Sequence, residues 1–230
     1  MMKTYGTRAN ENRQGGKAGV CSDTNTDIQK QEGKMSNSFD WTKSFKVDFS
    51  LATGLSEKAE SSKRYLSNIS NMFYDSEAAA EMLKEGDPLV YEFYELGVPE
   101  NPGDVAFGSS ITYPGKVGKE FFMTKGHFHT VLETAEVYYC LSGEGGMIFE
   151  NPEGDVTFEE FRPGVAVYVP MRYAHRSVNM GSTPLVTFFA FRGDAGHDYG
   201  TIETKGYRKL VVEKEGGGYE LIDNPKWIGG

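Results

Sequence analysis

From residue 88 onward, short apolar runs recur between polar and turn-forming positions. PLVYEFYEL, DVAFGSSITY, KEFFMTKGHFH, AEVYYCLSG, GGMIFENPEG, VTFEEF, VAVYVP, HRSVNM, PLVTFFAFRG and KLVVEKEGGGYELI mix β-branched and aromatic residues between Gly, Pro and Asn punctuation. Such runs predict short strands, and many of them at regular spacing predict a sandwich or barrel. Ahead of them one segment has a different rhythm: DSEAAAEMLKEG predicts a helix with Asp75 or Ser76 as N-cap and Gly86 as stop. The expectation is an all-β fold with one or more short helices in its N-terminal part.

The first 38 residues break this pattern. They are rich in Asn, Gly, Lys and Thr and nearly free of large apolar side chains, so burial cannot offset the entropy of ordering them. Residues 1–38 are therefore expected to be a disordered polar extension, and residues 39–230 a single domain with one core. An upstream start that adds a tail before Met35 is the plainer account of the extension; an arm that binds a partner is the other. Cys21, within it, reads as an incidental thiol.

A net charge of −9 argues against nucleic acid and against an anionic membrane surface, since both call for a basic stripe. A small anionic metabolite is still open to the chain, because a few local donors outweigh a global field. Two cysteines, Cys21 and Cys140, give no disulfide framework, and neither a membrane span nor a secretory leader is legible. A cytoplasmic location is expected.

The candidate chemistry lies in KGHFHTVLETAEVYYCLSG. In a strand His127 and His129 point to one side and Phe128 to the other. If TVLETA is a turn, AEVYYCL returns beside them with Glu136, Tyr138 and Cys140 on one face and Ala135, Val137, Tyr139 and Leu141 on the other. A lone pair of histidines is as well read as structural imidazoles. His175 changes the balance: it opens HRSVN, just after the strand VAVYV and a turn at Pro170, where a returning strand can bring it to the other two. Three imidazoles and a carboxylate suit iron, manganese, nickel or zinc, and incomplete coordination leaves places for substrate oxygens.

The stretches HFHTVLETAEVYYCLSG and PGVAVYVPMRYAHRSVN resemble the two motifs of the cupin superfamily. Gly164, Pro170, His175 and Asn179 meet the second motif, while Arg172 stands where that motif has a second glycine. In the first motif Glu136 keeps the family's spacing to Gly143 but lies farther from His129 than is common. Glu133 satisfies the histidine spacing and fails the glycine spacing; strand phase favours Glu136 as ligand and Glu133 as a turn residue. The longer spacing resembles the cupin-type glucose-6-phosphate isomerases. DPLVYEFY, YPGKVGKEFFMTKGHFHT, AEVYYCLSGEGGMIFENPEGD, DAGHDYGTI and DNPKW extend that likeness over roughly residues 40–228.

That resemblance implies a double-stranded β-helix, or jelly-roll barrel, and a metal-dependent aldose-ketose isomerase acting on glucose 6-phosphate and fructose 6-phosphate in glycolysis and gluconeogenesis. It implies one divalent ion per chain, Fe²⁺ first and Mn²⁺, Ni²⁺ or Zn²⁺ as alternatives, on His127, His129, Glu136 and His175. Glu136, Tyr138 and His197 form the implied catalytic set. Tyr91, Ser110, Thr124, Gly126 and Tyr199, with His197, form the implied phosphate cradle. Whether Glu136 carries a proton or a hydride shift moves the hydrogen stays open, and Tyr138 reads equally as a packed core tyrosine. Arg172 either meets the phosphate or faces water. A phosphomannose isomerase, a cupin dioxygenase and a non-catalytic sugar-binding cupin are the rivals. Pairing of edge strands, common in cupins, implies a homodimer.

Overall fold

The computed structural model describes residues 39–56, 61–96 and 98–229, and the expected N-terminal extension lies outside them. In chain order the elements are β1 (Ser62–Tyr65), α1 (Leu66–Ile69), a 3-10 turn (Ser70–Met72), α2 (Ser76–Glu85), β2 (Leu89–Glu95), β3 (Val105–Thr112), β4 (Lys116–Val117), β5 (Glu120–Phe121) and β6 (Glu136–Ser142). There follow β7 (Gly145–Glu150), β8 (Val156–Phe161), β9 (Ala166–Val169), β10 (Ala174–Asn179), β11 (Leu185–Arg192), α3 (Gly200–Lys205), β12 (Lys209–Glu213) and β13 (Tyr219–Asp223). The fold is all-β, as expected, with antiparallel pairing in every ladder.

Three sheets make up the structure: β1-β2-β3-β11-β6-β9, β10-β7-β8 and β13-β12-β5-β4. Side chains of the first two mix in one apolar cluster, in which Tyr138, Cys140, Phe189 and Phe191 meet Met147, Phe149 and Phe161. A second cluster joins Ile148 and Val178, from the middle sheet, to Phe121 and Val211 of the third and to Leu66, Ile69 and Phe73. The middle sheet is thus covered on both faces, which is why β7 and β10 are buried at every position and do not alternate.

The helix α2 forms as its sequence predicts. The Asp75 carboxylate accepts the Ala78 N–H at 2.9 Å, and the Gly86 N–H closes the last turn on the Met82 carbonyl. Two features depart from expectation. KEFFMTKGHFH is not one strand: β5 ends at Phe121, and only isolated bridges follow, Met123 with Val178, His127 with His175 and Phe128 with Asp198. Gly126, with a φ of 77°, turns the chain between the Met123 and His127 bridges. The short helix α3 was not foreseen. Its GTIETK sequence carries β-branched residues and no strong periodicity, and it forms where Asp198 accepts the backbone and hydroxyl protons of Thr201.

The segment before β1 lays Phe45 and Phe49 on the outer face of the large sheet, against Phe107 and Phe188. Farther along the same sheet Val137, Tyr139 and Tyr168 stay exposed. Among the described residues no helix is long and apolar enough to cross a membrane.

Between the second and third sheets, Glu120 is buried with one carboxylate oxygen accepting the Tyr74 N–H at 3.0 Å. Burial pushes its pKa up to about 7, against the pull of the Tyr74 amide and of the Arg176 and Lys226 charges. The folded state holds this proton where the unfolded chain has lost it, so stability falls as pH rises from about 4.5 to 7. Between pH 4.5 and 8 the wild type should lose roughly 2–3 kcal/mol through this group, and Glu120→Gln should not. Urea midpoints at pH 5 and pH 8 measure the difference, and parallel pH dependence in the two proteins contradicts it.

Candidate metal centre and cavity

Four buried side chains converge where β6 and β10 begin. His127 and His175 face each other across a two-residue bridge, with His127 N–H donating to His175 O at 3.4 Å and His175 N–H to His127 O at 3.2 Å. Glu136 opens β6, and His129 follows His127 with one residue between. The nitrogen and oxygen atoms these four offer all lie within 4.8 Å of one another. His129 Nε2 is 3.1 Å and His175 Nε2 2.9 Å from the same oxygen, Glu136 Oε2.

Neighbouring groups fix which nitrogens carry protons. Thr134 Oγ1 gives its own hydrogen to the Val131 carbonyl at 2.7 Å, so toward His129 Nδ1, also at 2.7 Å, it accepts. The nearest partner of His175 Nδ1 is the Tyr173 carbonyl at 3.4 Å, which can only accept. Both rings therefore turn Nε2 toward the Glu136 carboxylate, and His129 Nε2 is within hydrogen-bonding distance of it at 3.1 Å. His127 Nε2 and His175 Nε2 are buried without a hydrogen-bond partner, since the Glu136 oxygen is close to the latter but misaligned. Burial and the neighbouring histidines hold His127 well below its usual pKa. Burial alone would raise Glu136, but His175 and His129 outweigh it and bring it down to about 2. Three imidazole nitrogens and an ionised carboxylate gathered at one point form a donor set that fits a divalent first-row ion.

Beside this cluster lies a cavity lined by Tyr91, Ser110, Thr124, His127, Glu136, Tyr138, His197 and Tyr199, with Phe93, Glu95, Phe189 and Phe191 completing it. The cavity gathers every residue expected for phosphate and catalysis except Gly126, which is not in its lining, and Glu133 is exposed in the turn. His197 stacks on Tyr199 at 5.7 Å and meets His127 edge-on at 4.4 Å. Burial brings its pKa down to about 4, so it is a neutral imidazole at pH 7. Thr124 Oγ1 accepts the Ser177 N–H, which pins it to β10. Gly126 has room for no side chain, since a Cβ would lie 2.5 Å from Tyr207 Oη and 3.0 Å from the His175 carbonyl.

Several residues were not singled out by sequence. Thr134 orients His129. Arg176, buried beside His175, donates from Nε and Nη2 to the Lys125 carbonyl at 3.2 and 2.8 Å and stacks over Tyr207, so it clamps the turn from Thr124 to His127. Arg64 pairs across β1 with Tyr91, lies 5.7 Å over Phe93, and its charge acts on the hydroxyls of Tyr91 and Tyr199. Glu95 is the other charge missed. Only its alternation with Tyr91 and Phe93 along β2 signalled that it faces inward. Of the two readings open to Arg172, the structure takes the one away from the cavity: it pairs with Glu153 at 2.5 Å. Its φ of 72° explains why the motif has glycine there. A larger cavity lies behind Phe128, lined by Leu132, Ile202 and Trp227, where Arg208 and Glu150 are spent on each other.

The profile described as Glucose-6-phosphate isomerase (GPI) matches residues 63–228. The chain belongs to that family. A glucose-6-phosphate isomerase of Thermococcus litoralis is 49% identical over 183 residues, covering 80% of this chain and 96% of that one. A putative glucose-6-phosphate isomerase 1 of Rhizobium meliloti is 40% identical over 157 residues, covering 67% of this chain and 73% of its own. Among solved structures, an oxalate oxidase is similar over 51% of this chain and 58% of its own, with 18% identity and a TM-score of 0.42, too slight a likeness to argue from. The glucose-6-phosphate isomerase match spans the histidine cluster and the cavity and stops short of the first 38 residues.

Thr134→Val removes the acceptor that sets the His129 tautomer. Competition with a chromophoric chelator should show roughly 10–100-fold weaker metal binding, restored by Thr134→Ser. Equal affinity in Val and Ser variants would contradict the tautomer assignment.

Proposed function

We propose that this chain interconverts glucose 6-phosphate and fructose 6-phosphate, with one divalent ion held by His127, His129, Glu136 and His175. The observation that carries this reading is the convergence of three imidazole nitrogens and an ionised carboxylate on one point at the wall of a cavity that also holds Tyr91, Ser110, Thr124, His197 and Tyr199. Iron(II) is the first choice of ion, then manganese, nickel and zinc. When bound, the ion supplies Lewis-acid polarisation of the carbonyl and offsets charge developing on the two adjacent oxygens.

The chain's own residues do the rest. Hydroxyls of Tyr91, Ser110, Thr124 and Tyr199, the amide at Gly126 and the His197 imidazole bind the phosphate dianion by many neutral donors, with Arg64 near the Tyr91 end. Glu136 lies at the reacting carbons; its low pKa suits a ligand that stays ionised, and a proton carrier only if it is freed from its neighbours. Burial, then the charge and hydrogen bond of Glu136, push the Tyr138 hydroxyl well up, so it stands beside that carboxylate as a proton donor. His197, neutral at pH 7, has one nitrogen to donate and one to accept. Phe93, Phe189 and Phe191 exclude water and strengthen each of these contacts.

Residues 39–230 form the isomerase domain in this proposal, working in the cytoplasm in glycolysis and gluconeogenesis. The chain pairs as a homodimer. Support for pairing comes from the exposed Val137, Tyr139 and Tyr168 beside the edge strand β9. Light scattering should give twice the chain mass; a monomer refutes the dimer.

A coupled assay of fructose 6-phosphate conversion tests the function. Chelator-stripped protein should be inactive, reloading with Fe²⁺, Mn²⁺, Ni²⁺ or Zn²⁺ should restore turnover to different extents, and His175→Ala should lower it by at least 100-fold with every ion. Folded, metal-loaded protein without turnover would defeat the proposal.

A further inference from the structure

The cavity wall formed by the large sheet can be read in rows, because residues opposed on neighbouring antiparallel strands point to the same face. Arg64 on β1, Tyr91 on β2 and Thr112 on β3 make one row. Phe93, Ser110, Thr187 and Cys140 make the next. Glu95, Gly108, Phe189, Tyr138 and Val167 make the third. Ala106, Phe191, Glu136 and Val169 make the fourth. Successive rows are roughly 7 Å apart along the strands.

The first two rows hold groups assigned above to the phosphate, and the fourth holds the ligand Glu136. The third lies between them, and its two polar residues facing the cavity are Glu95, on one flank, and Tyr138, on the other. Gly108 separates Glu95 from Phe189 in this row. A Cβ there would collide with the Tyr94 carbonyl and lie 2.9 Å from both the Glu95 Cα and the Phe189 ring. The absence of a side chain at 108 leaves room for the Phe189 ring beside the Glu95 backbone, and both residues line the cavity.

An open-chain hexose 6-phosphate that places its phosphate on the first rows and its C1 and C2 oxygens at the fourth must pass its middle carbons over the third. Those carbons carry hydroxyls, which are donors, and a carboxylate is the strongest acceptor a side chain offers them. Resting on the isomerase reading, we propose that Glu95 is a specificity-determining residue that accepts hydrogen bonds from the C3 and C4 hydroxyls of the sugar. The same wall is electrically polar, with Arg64 at the phosphate end and Glu95 nearer the metal ligands. A phosphate entering in the reversed sense meets the Glu95 charge, so the residue also fixes which end of the substrate reaches the reacting site. The negative charge of Glu95 acts on both the Tyr138 and Tyr199 hydroxyls, as expected of a group set between the two ends.

Glucitol 6-phosphate, a reduced hexose phosphate that cannot be isomerised, separates recognition from turnover. Calorimetry on metal-loaded wild type, Glu95→Gln and Glu95→Ala should show it bound about 10-fold more weakly by the Ala variant, with Gln between. The 3-deoxy and 4-deoxy analogues should each lose affinity for wild type and narrow its advantage over Glu95→Ala, while inorganic phosphate should bind all three proteins equally. With fructose 6-phosphate, Glu95→Gln should raise KM more than it lowers kcat. Unchanged glucitol 6-phosphate affinity in both variants, or a matching loss of inorganic phosphate binding, overturns the assignment. Wild type that binds glucitol 6-phosphate through Glu95 but turns over no fructose 6-phosphate would overturn the isomerase reading alone. Wild type that does not bind it overturns both.

Discussion

Everything in the site depends on the short antiparallel bridge between His127 and His175. It joins a segment with no ladder of its own to a strand buried on both faces, and it puts two imidazoles side by side at the end of the large sheet. Burying three imidazoles and a carboxylate together is costly unless their lone pairs find a partner. The surrounding structure accepts that cost: Thr134 and the Tyr173 carbonyl fix the tautomers, and the Arg176 clamp on Lys125 holds the incoming chain. A site assembled this way is preorganised by groups that need never touch a substrate.

The cluster of His127, His129, Glu136 and His175 was legible because strand period and motif spacing both encode direction. Glu136 was chosen over Glu133 on strand phase, and the structure puts Glu136 in the cluster and Glu133 in solvent. His197 and Tyr199, in a polar turn-like run, also reach the cavity. The local prediction failed for KEFFMTKGHFH, where a run rich in aromatic residues suggested one continuous strand. The ladder ends at Phe121, Gly126 turns the chain farther on, and His127 meets His175 through a single bridge in place of a ladder. The short helix α3 escaped notice because tertiary capping by Asp198, more than propensity, holds it.

Residues that act through others were the least legible. Thr134 reads as one more turn threonine until the loop folds back and its hydroxyl meets His129. Arg176 reads as a surface cation in HRSVN, yet it is buried because β10 is covered on both sides. Arg64 lies in a stretch with no regular pattern, and its proximity to Tyr91 depends on pairing between β1 and β2. Each belongs to a contact between segments distant in sequence, which single-strand periodicity does not carry.

A second bridge lies one residue from the first. Phe128 and Asp198 exchange backbone hydrogen bonds at 3.2 and 2.8 Å, so the triplet His127–Phe128–His129 is tied to the triplet His197–Asp198–Tyr199 through their central residues. The groups proposed for the ion and those proposed for the phosphate are therefore flanking side chains of one hydrogen-bonded unit. Whatever immobilises one triplet spares the other part of its loss of conformational freedom. Ion and sugar phosphate should then bind with positive cooperativity, each tightening the other by the same factor, without any displacement of the backbone.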